Sequence, residues 1–329
     1  MATYKGTKGF TVQILADDPT SEDTAGLLFF NSTDNEFKYV RPGGISAGTW
    51  ASGGNINTAR QQNAGCGIQT AGLCVGGESG PPPFAARAFS EEYNGSSWTE
   101  GNDLNTARAF LTVLGLQTAA LAVGGYDPSA GLGVVESYNG TSYTEVNDLN
   151  TARNSSGSSG ILTAGLVFGG GPPAGGLTEE FDGTNWTESG DLNTGRRLLA
   201  GAGTQTASLA FGGALDPGTS QSVTEEYNGT SWTEVADLNS ARQGLAGGGT
   251  QTDALAFAGF TTTNVAITES WNGTSWTEVN DMATSRRELG GFGATGSLDL
   301  ACAGNTGSVS NATEEFTAPD VVIKTVTDS

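Results

Sequence analysis

The sequence predicts an all-β protein built from six repeated four-stranded units. Three observations carry that expectation. A segment such as EEYNGTSWTEVADLNSAR, ending at Arg242, recurs along the chain at successive intervals of 48, 45, 43, 46 and 44 residues. A repeat of that length accommodates four short strands and is too long for helical pairs of about 34 residues. Asn-Gly or Asp-Gly falls at the same place in five copies, where a tight hairpin requires positive φ. Finally, 51 glycines among 329 residues, with only 15% charged side chains, fit a chain of many turns.

Each unit can be divided in order. Arg60, Arg108, Arg153, Arg196, Arg242 and Arg286 stand ten residues after Trp50, Trp98, Tyr143, Trp186, Trp232 and Trp276. Strand a follows the Arg through small residues. Strand b is an apolar run ending at Gly77, Gly125, Gly170, Gly213, Gly259 and Gly304. Strand c alternates and ends on Glu and an aromatic (Tyr93, Tyr138, Phe181, Tyr227, Trp271, Phe316), and strand d carries the Trp five residues later.

Glycine-paired b strands, a c-strand aromatic and a d-strand Trp in this order resemble kelch-type β-propellers. The resemblance implies a six-bladed β-propeller over residues 46–316, each blade a four-stranded antiparallel sheet. The wording YNGTSWTEVNDLNTAR is also similar to kelch-like repeats of tailed bacteriophages, particularly of aquatic bacteria. The repeats begin on a d strand at Trp50 and end on a c strand at Phe316, so the ring is expected to close by pairing residues 48–52 beside 311–316. Closure would remove an open sheet edge.

Nearly all length variation falls between b and c. In an antiparallel blade those connections share one face with the d–a connections, which makes that face the candidate binding surface. Its candidate residues are Pro82, Phe84, Arg87, Tyr126, Asp127, Pro172, Asp216, Phe260, Asn264 and Asn305. The repeated Arg and Trp series, with Tyr143, are expected to be structural. Glu92, Glu136, Glu180, Glu226, Glu269 and Glu315 are the expected acidic counterparts of the arginines.

Residues 1–45 form a different unit. Its segment GLLFFNSTDNEFKYVRPG reads as two strands about the polar turn Asn31–Asn35, a small β module suited to attachment. Residues 317–329 are expected to be a C-terminal tail. All four lysines (Lys5, Lys8, Lys38, Lys324) lie outside the propeller, whose 9 Arg against 27 acidic residues leave −18 of the total −21.

Composition excludes much chemistry. With no His, no Ser-His-Asp relay and no His-ligated metal can form. A charge of −21 opposes nucleic acid and anionic membranes, and no run approaches the ~18 apolar residues of a membrane span. Three Cys make no disulfide framework. Met1–Phe10 has no apolar export region. FDGTNW at Phe181–Trp186 resembles the Asp-box of sialidases but lacks one spacer residue, so it reads as the sister hairpin turn. Asp and Asn of the DLN segments could ligate calcium; local backbone bonding is the simpler role. No cofactor and no metal is expected.

The expected function is therefore that of a non-enzymatic structural or adhesive protein of a phage virion, as tail fibre, appendage or capsid decoration. Its expected partners are other virion proteins through the N-terminal module, a host-surface glycan or protein through the variable loops, and further copies of itself as a homo-oligomer. It would be made in the host cytoplasm and reside in the virion. A carbohydrate-binding propeller is the alternative, and a glycan-active enzyme the second alternative.

Overall fold

The computed structural model describes residues 13–19, 27–42, 48–80, 85–319 and 321–325. Contacts divide the chain into two units, one of Thr49–Thr317 and one of Met1–Gly48 with Ala318–Ser329. Both are built from strands, and no helix occurs among the described residues.

The larger unit contains six four-stranded antiparallel sheets, each in the spatial order a-b-c-d. Patterning explains their depth. The b strands, such as Ser208–Phe211, end in apolar runs and are buried from their second residue onward, as expected when both faces are covered. On strand d Trp232 is buried while Thr233 and Glu234 are exposed, as befits the outermost strand of the sheet. The five-residue aromatic spacing becomes a cross-strand pair: Tyr93 opposite Trp98, Tyr227 opposite Trp232, Trp271 opposite Trp276. Cross-strand aromatic pairs of this kind contribute roughly 0.2–1 kcal/mol each.

The sixth sheet takes a, b and c from Gly290–Thr295, Leu298–Cys302 and Thr313–Thr317, and its fourth strand from Thr49–Ser52. Trp50 stands opposite Phe316. Each a strand packs on the a strand of the next sheet, and that of the sixth packs on that of the first. Small residues are needed where these strands meet. A Cβ at Gly201 would lie 2.5 Å from Phe168 Cζ of the preceding sheet.

Among the described residues the smaller unit holds one sheet. Gln13–Leu15 pairs parallel with Leu28–Asn31, which pairs antiparallel with Glu36–Pro42. Val321–Thr325 completes it beside Glu36–Pro42, so the segment following the repeats is a strand of this sheet rather than a free tail. Its sequence VVIKT is rich in β-branched residues, but the strand it pairs with, Glu36–Pro42, lies at the opposite end of the chain. Lys38 is buried and held by Asp18 at 3.0 Å and by Asp34.

Two details differ from the expected hairpins. In the Asn-Gly turns only the glycine is left-handed, as at Gly95 with φ 88°. Asn94 instead accepts from the Ser96 and Ser97 amides through Oδ1, so the turn is a four-residue loop capped by a side chain. Two b–c connections also carry small hairpins of their own, Glu78–Ser79 with Ala85–Ala86 and Ala214–Leu215 with Thr219–Ser220.

Candidate functional site

The repeated polar residues are consumed in joining sheets. Each repeated Arg is buried and reaches a Glu on strand c of the sheet that follows it: Arg60 to Glu91 at 2.6 Å, Arg196 to Glu225 at 2.5 Å, Arg242 to Glu269 at 2.6 Å. Arg108 meets Glu136, and Arg153 and Arg286 stand 3.2 Å from Glu179 and Glu314. The other carboxylate oxygen accepts from the Asn that directly follows the DL, as from the Asn193 amide at 2.7 Å and its Nδ2 at 2.9 Å. The Asn side chains of the DLN segments are thereby occupied, and Asp191 and Asp237 Oδ1 accept the Thr178 and Thr224 amides at 3.1 Å.

Here the expected acidic series is corrected. Glu92, Glu180, Glu226 and Glu315 lie one residue too far along strand c, and the partners in those sheets are Glu91, Glu179, Glu225 and Glu314. Strand alternation sends adjacent carboxylates to opposite faces. Glu92 instead accepts from Tyr138 Oη of the next sheet at 2.6 Å, and Glu180 and Glu315 accept from Tyr227 and Tyr93. Burial, reinforced by Glu315, pushes the Tyr93 hydroxyl up to about 12.

Another between-sheet contact had no counterpart in the sequence reading. Gln69, Gln117, Gln205 and Gln251 each donate through Nε2 to two carbonyls of the preceding sheet, Gln251 to Ser208 O at 3.1 Å and Tyr227 O at 2.7 Å. Each lies nine residues after a repeated Arg, a regularity that could have identified it.

What remains for function is the set of positions where the copies disagree. The second residue after each repeated Arg reads Gln62, Phe110, Ser155, Leu198, Gly244 and Glu288. All six are left-handed, with φ of 57°, 51°, 56°, 56°, 58° and 52°. For the five that are not glycine this conformation costs ~1–2 kcal/mol each. Their backbones form an unbroken cycle: Phe110 N donates to Gln62 O, Ser155 to Phe110, Leu198 to Ser155, Gly244 to Leu198, Glu288 to Gly244, and Gln62 to Glu288, all at 2.7–2.9 Å. These six residues rim a central cavity of about 210 Å³ whose walls are the six a strands.

The variable b–c segments meet this rim. Tyr126 bridges Ala109, Phe260 bridges Gln243, and Asn305 bridges Arg287, each partner being the residue just before a rim position. Among the expected surface residues, Phe260, Asn264 and Asn305 come together: Asn264 Nδ2 donates to Asn305 O at 2.8 Å, and Asn305 Nδ2 donates to Gln61. Asp216 is farther round, where the Ala174 amide at 2.7 Å and Arg197 at 2.9 Å hold its carboxyl below the usual range. Asp127 is likewise lowered, by Ser129 and the amides of its own turn, and Arg87 donates to Ser79 at 2.7 Å. Pro172 is exposed. Pro82 and Phe84 lie outside the described residues.

Gly244 leaves a gap in the rim. Leu198, Gln243, Phe260, Arg287 and Glu288 surround it, forming a notch of about 200 Å³. The Arg287 guanidinium lies over the Phe260 ring, 4.6 Å from its centroid. Its Nε is 3.6 Å from Glu288 Oε1, beyond hydrogen-bond range, and has no acceptor. Glu288 Oε2 accepts from Gln62 Nε2 at 3.2 Å, while Gln62 Oε1 is buried without a partner. Burial raises the Glu288 carboxyl above its ordinary value, with Glu78 adding to the rise and Arg287 and Gln62 opposing it.

The chain matches no protein-family model, and no curated protein is similar to it in sequence.

Proposed function

We propose that the chain is a non-enzymatic binding protein whose larger unit is a closed six-bladed β-propeller, presenting the variable rim to a partner. The observation that carries this is the rim itself. Six backbones joined in a cycle hold five unlike side chains in costly conformations around one opening, while the repeated Arg, Glu, Asn and Gln are spent on joining sheets. Strain concentrated where sequence varies is characteristic of binding positions. The pairing of Trp50 with Phe316 and the Gln62–Glu288 backbone bond support ring closure.

The resemblance of the repeats to those of tailed phages makes a virion appendage the proposed setting, with the smaller unit as attachment module and a host-surface structure as partner. The absence of His, and the burial of every repeated Arg and its Glu partner, support a non-catalytic role. Binding of the fluorescently labelled chain to a panel of aquatic bacteria tests the proposal. Saturable binding to at least one strain is expected, lost in the rim-side variant Tyr126→Ser/Arg287→Ser. The variant Ile68→Ser/Ile161→Ser, on exposed a–b turns, is expected to bind normally. Loss in the second variant alone would contradict the assignment of the face.

A further inference from the structure

Building on that proposed binding face, we infer that the Gly244 notch is a subsite for a neutral polyhydroxylated ligand, a terminal sugar residue. The notch is specific to one of six rim positions. Gly244 shares the left-handed conformation of the other five, yet only here is the side chain missing, and a Cβ would make ordinary contact, 3.4 Å from Glu288 Cγ and 3.7 Å from Arg287 Cβ.

The chemistry of the walls selects the class of occupant. Arg287 lines the notch with a side chain that is 32% exposed and whose Nε has no acceptor among the described residues. Glu288, which lines the notch, contributes acceptors. A cation bound to Glu288 would sit against Arg287, and an anion bound to Arg287 would sit against Glu288 in a unit of net charge −18. A ligand whose groups both donate and accept meets neither repulsion, and each hydroxyl of a vicinal pair has that capacity. Leu198 supplies an apolar wall and Phe260 a second, which suit the C–H face of a pyranose. The volume of about 200 Å³ is below that of drug-sized pockets and fits one small ring. Binding at a single such subsite is expected to be weak, with Kd on the order of millimolar; repetition along a surface polymer and among copies of the chain would raise it.

The test is titration of the full chain with the methyl α- and β-glycosides of glucose, galactose, mannose and N-acetylglucosamine, read by saturation-transfer and protein-observed NMR. At least one glycoside is expected to bind saturably and shift the Gly244, Leu198 and Glu288 amides. Gly244→Leu, which places in the notch the residue already tolerated at position 198, is expected to weaken binding about tenfold or more, with a thermal midpoint lowered by the left-handed strain that Leu198 already bears. Arg287→Ala and Glu288→Gln add no such strain and should each weaken binding as well. No saturable binding by any of the eight, or binding undiminished in Gly244→Leu, would overturn the inference. If bacterial binding still depends on the rim face in that event, only the sugar subsite fails. If bacterial binding is also absent, the proposed face fails with it.

Discussion

Trp98 donates its indole N–H to Thr313 Oγ1 at 3.0 Å, joining the first sheet to the sixth across 215 positions of sequence. The same bond runs from Trp50 to Thr268, Trp232 to Thr178 and Trp276 to Thr224, each time to the first residue of strand c in the preceding sheet. Where that residue is Val135, Trp186 turns to Asn147 O at 3.1 Å, and where the donor position is Tyr143, its hydroxyl pairs with Ser90 at 2.9 Å. Thr313→Val would strand a buried indole N–H. The expected destabilisation is about 1–3 kcal/mol, measured by urea unfolding, with a similar loss in Thr224→Val. A change in Thr313→Val below ~0.5 kcal/mol, the scale of an ordinary surface substitution, would show that the seam bond is not formed in solution.

The buried ion pairs should be unforgiving of single substitutions. Arg196 donates to Glu225 and to the Ala210 and Gly212 carbonyls, so Arg196→Met leaves an unpaired buried carboxylate and freed acceptors. A cost of about 3–5 kcal/mol is expected by equilibrium unfolding. Glu225→Gln keeps an acceptor for the Asn193 amide and should cost less than Arg196→Met. Equal or reversed costs would contradict the assignment of Glu225 as the shared anchor.

Tyr and Glu alternate in step between neighbouring sheets. Tyr93, Tyr138 and Tyr227 face Glu315, Glu92 and Glu180, whereas Phe181 and Phe316 follow sheets with Ser137 and Ser270 at the equivalent position. Tyr138→Phe is expected to cost ~0.5–1.5 kcal/mol. Adding Glu92→Ser, the pairing found naturally beside Phe181, should recover part of it. A double-mutant cycle without coupling would contradict the pairing.

Asp299 gives the protein an unusual pH dependence. Its carboxyl is completely buried, neither oxygen has a partner, and it occupies space opened by Gly248 on the neighbouring a strand, where a Cβ would fall 2.1 Å from Oδ1. Burial, with Asp253 nearby, raises it well above the ordinary 3.8. A raised carboxyl favours the folded state when protonated, so its contribution is full below 3.8 and is lost as pH climbs through the folded-state value. Asp253 is raised as well and acts in the same direction. Asp299→Asn is expected to flatten the decline in stability between acid and neutral pH, read as thermal midpoints across that range. A wild-type midpoint that rises over the same range, with no difference in Asp299→Asn, would contradict the buried neutral acid.

The sequence made the sheets legible because spacing is a property of every copy. Five residues from Tyr227 to Trp232 become one cross-strand pair, and the run to Gly213 becomes a covered b strand. The rim was not legible. Its residues have no common type, and their shared feature is a left-handed backbone that Leu198 and Phe110 do not advertise. Disagreement among copies just after an invariant Arg was the available signal. The Glu register was misread because two adjacent carboxylates look equivalent in the sequence until alternation separates Glu91 from Glu92. Asp299 stood where the other copies have Gly, Ala or Ser, but its burial depends on Gly248 in a different repeat.

Amide hydrogen exchange at the six rim positions tests the closed ring most directly. Gln62 N donates to Glu288 O at 2.7 Å, the one rim bond that links the first repeat to the last, and the other five link consecutive repeats. A closed ring predicts that Gln62, Phe110, Ser155, Leu198, Gly244 and Glu288 exchange as one protected set, near the rate of global unfolding. Rapid exchange at Gln62 beside five protected neighbours would mean that the first and sixth sheets do not meet.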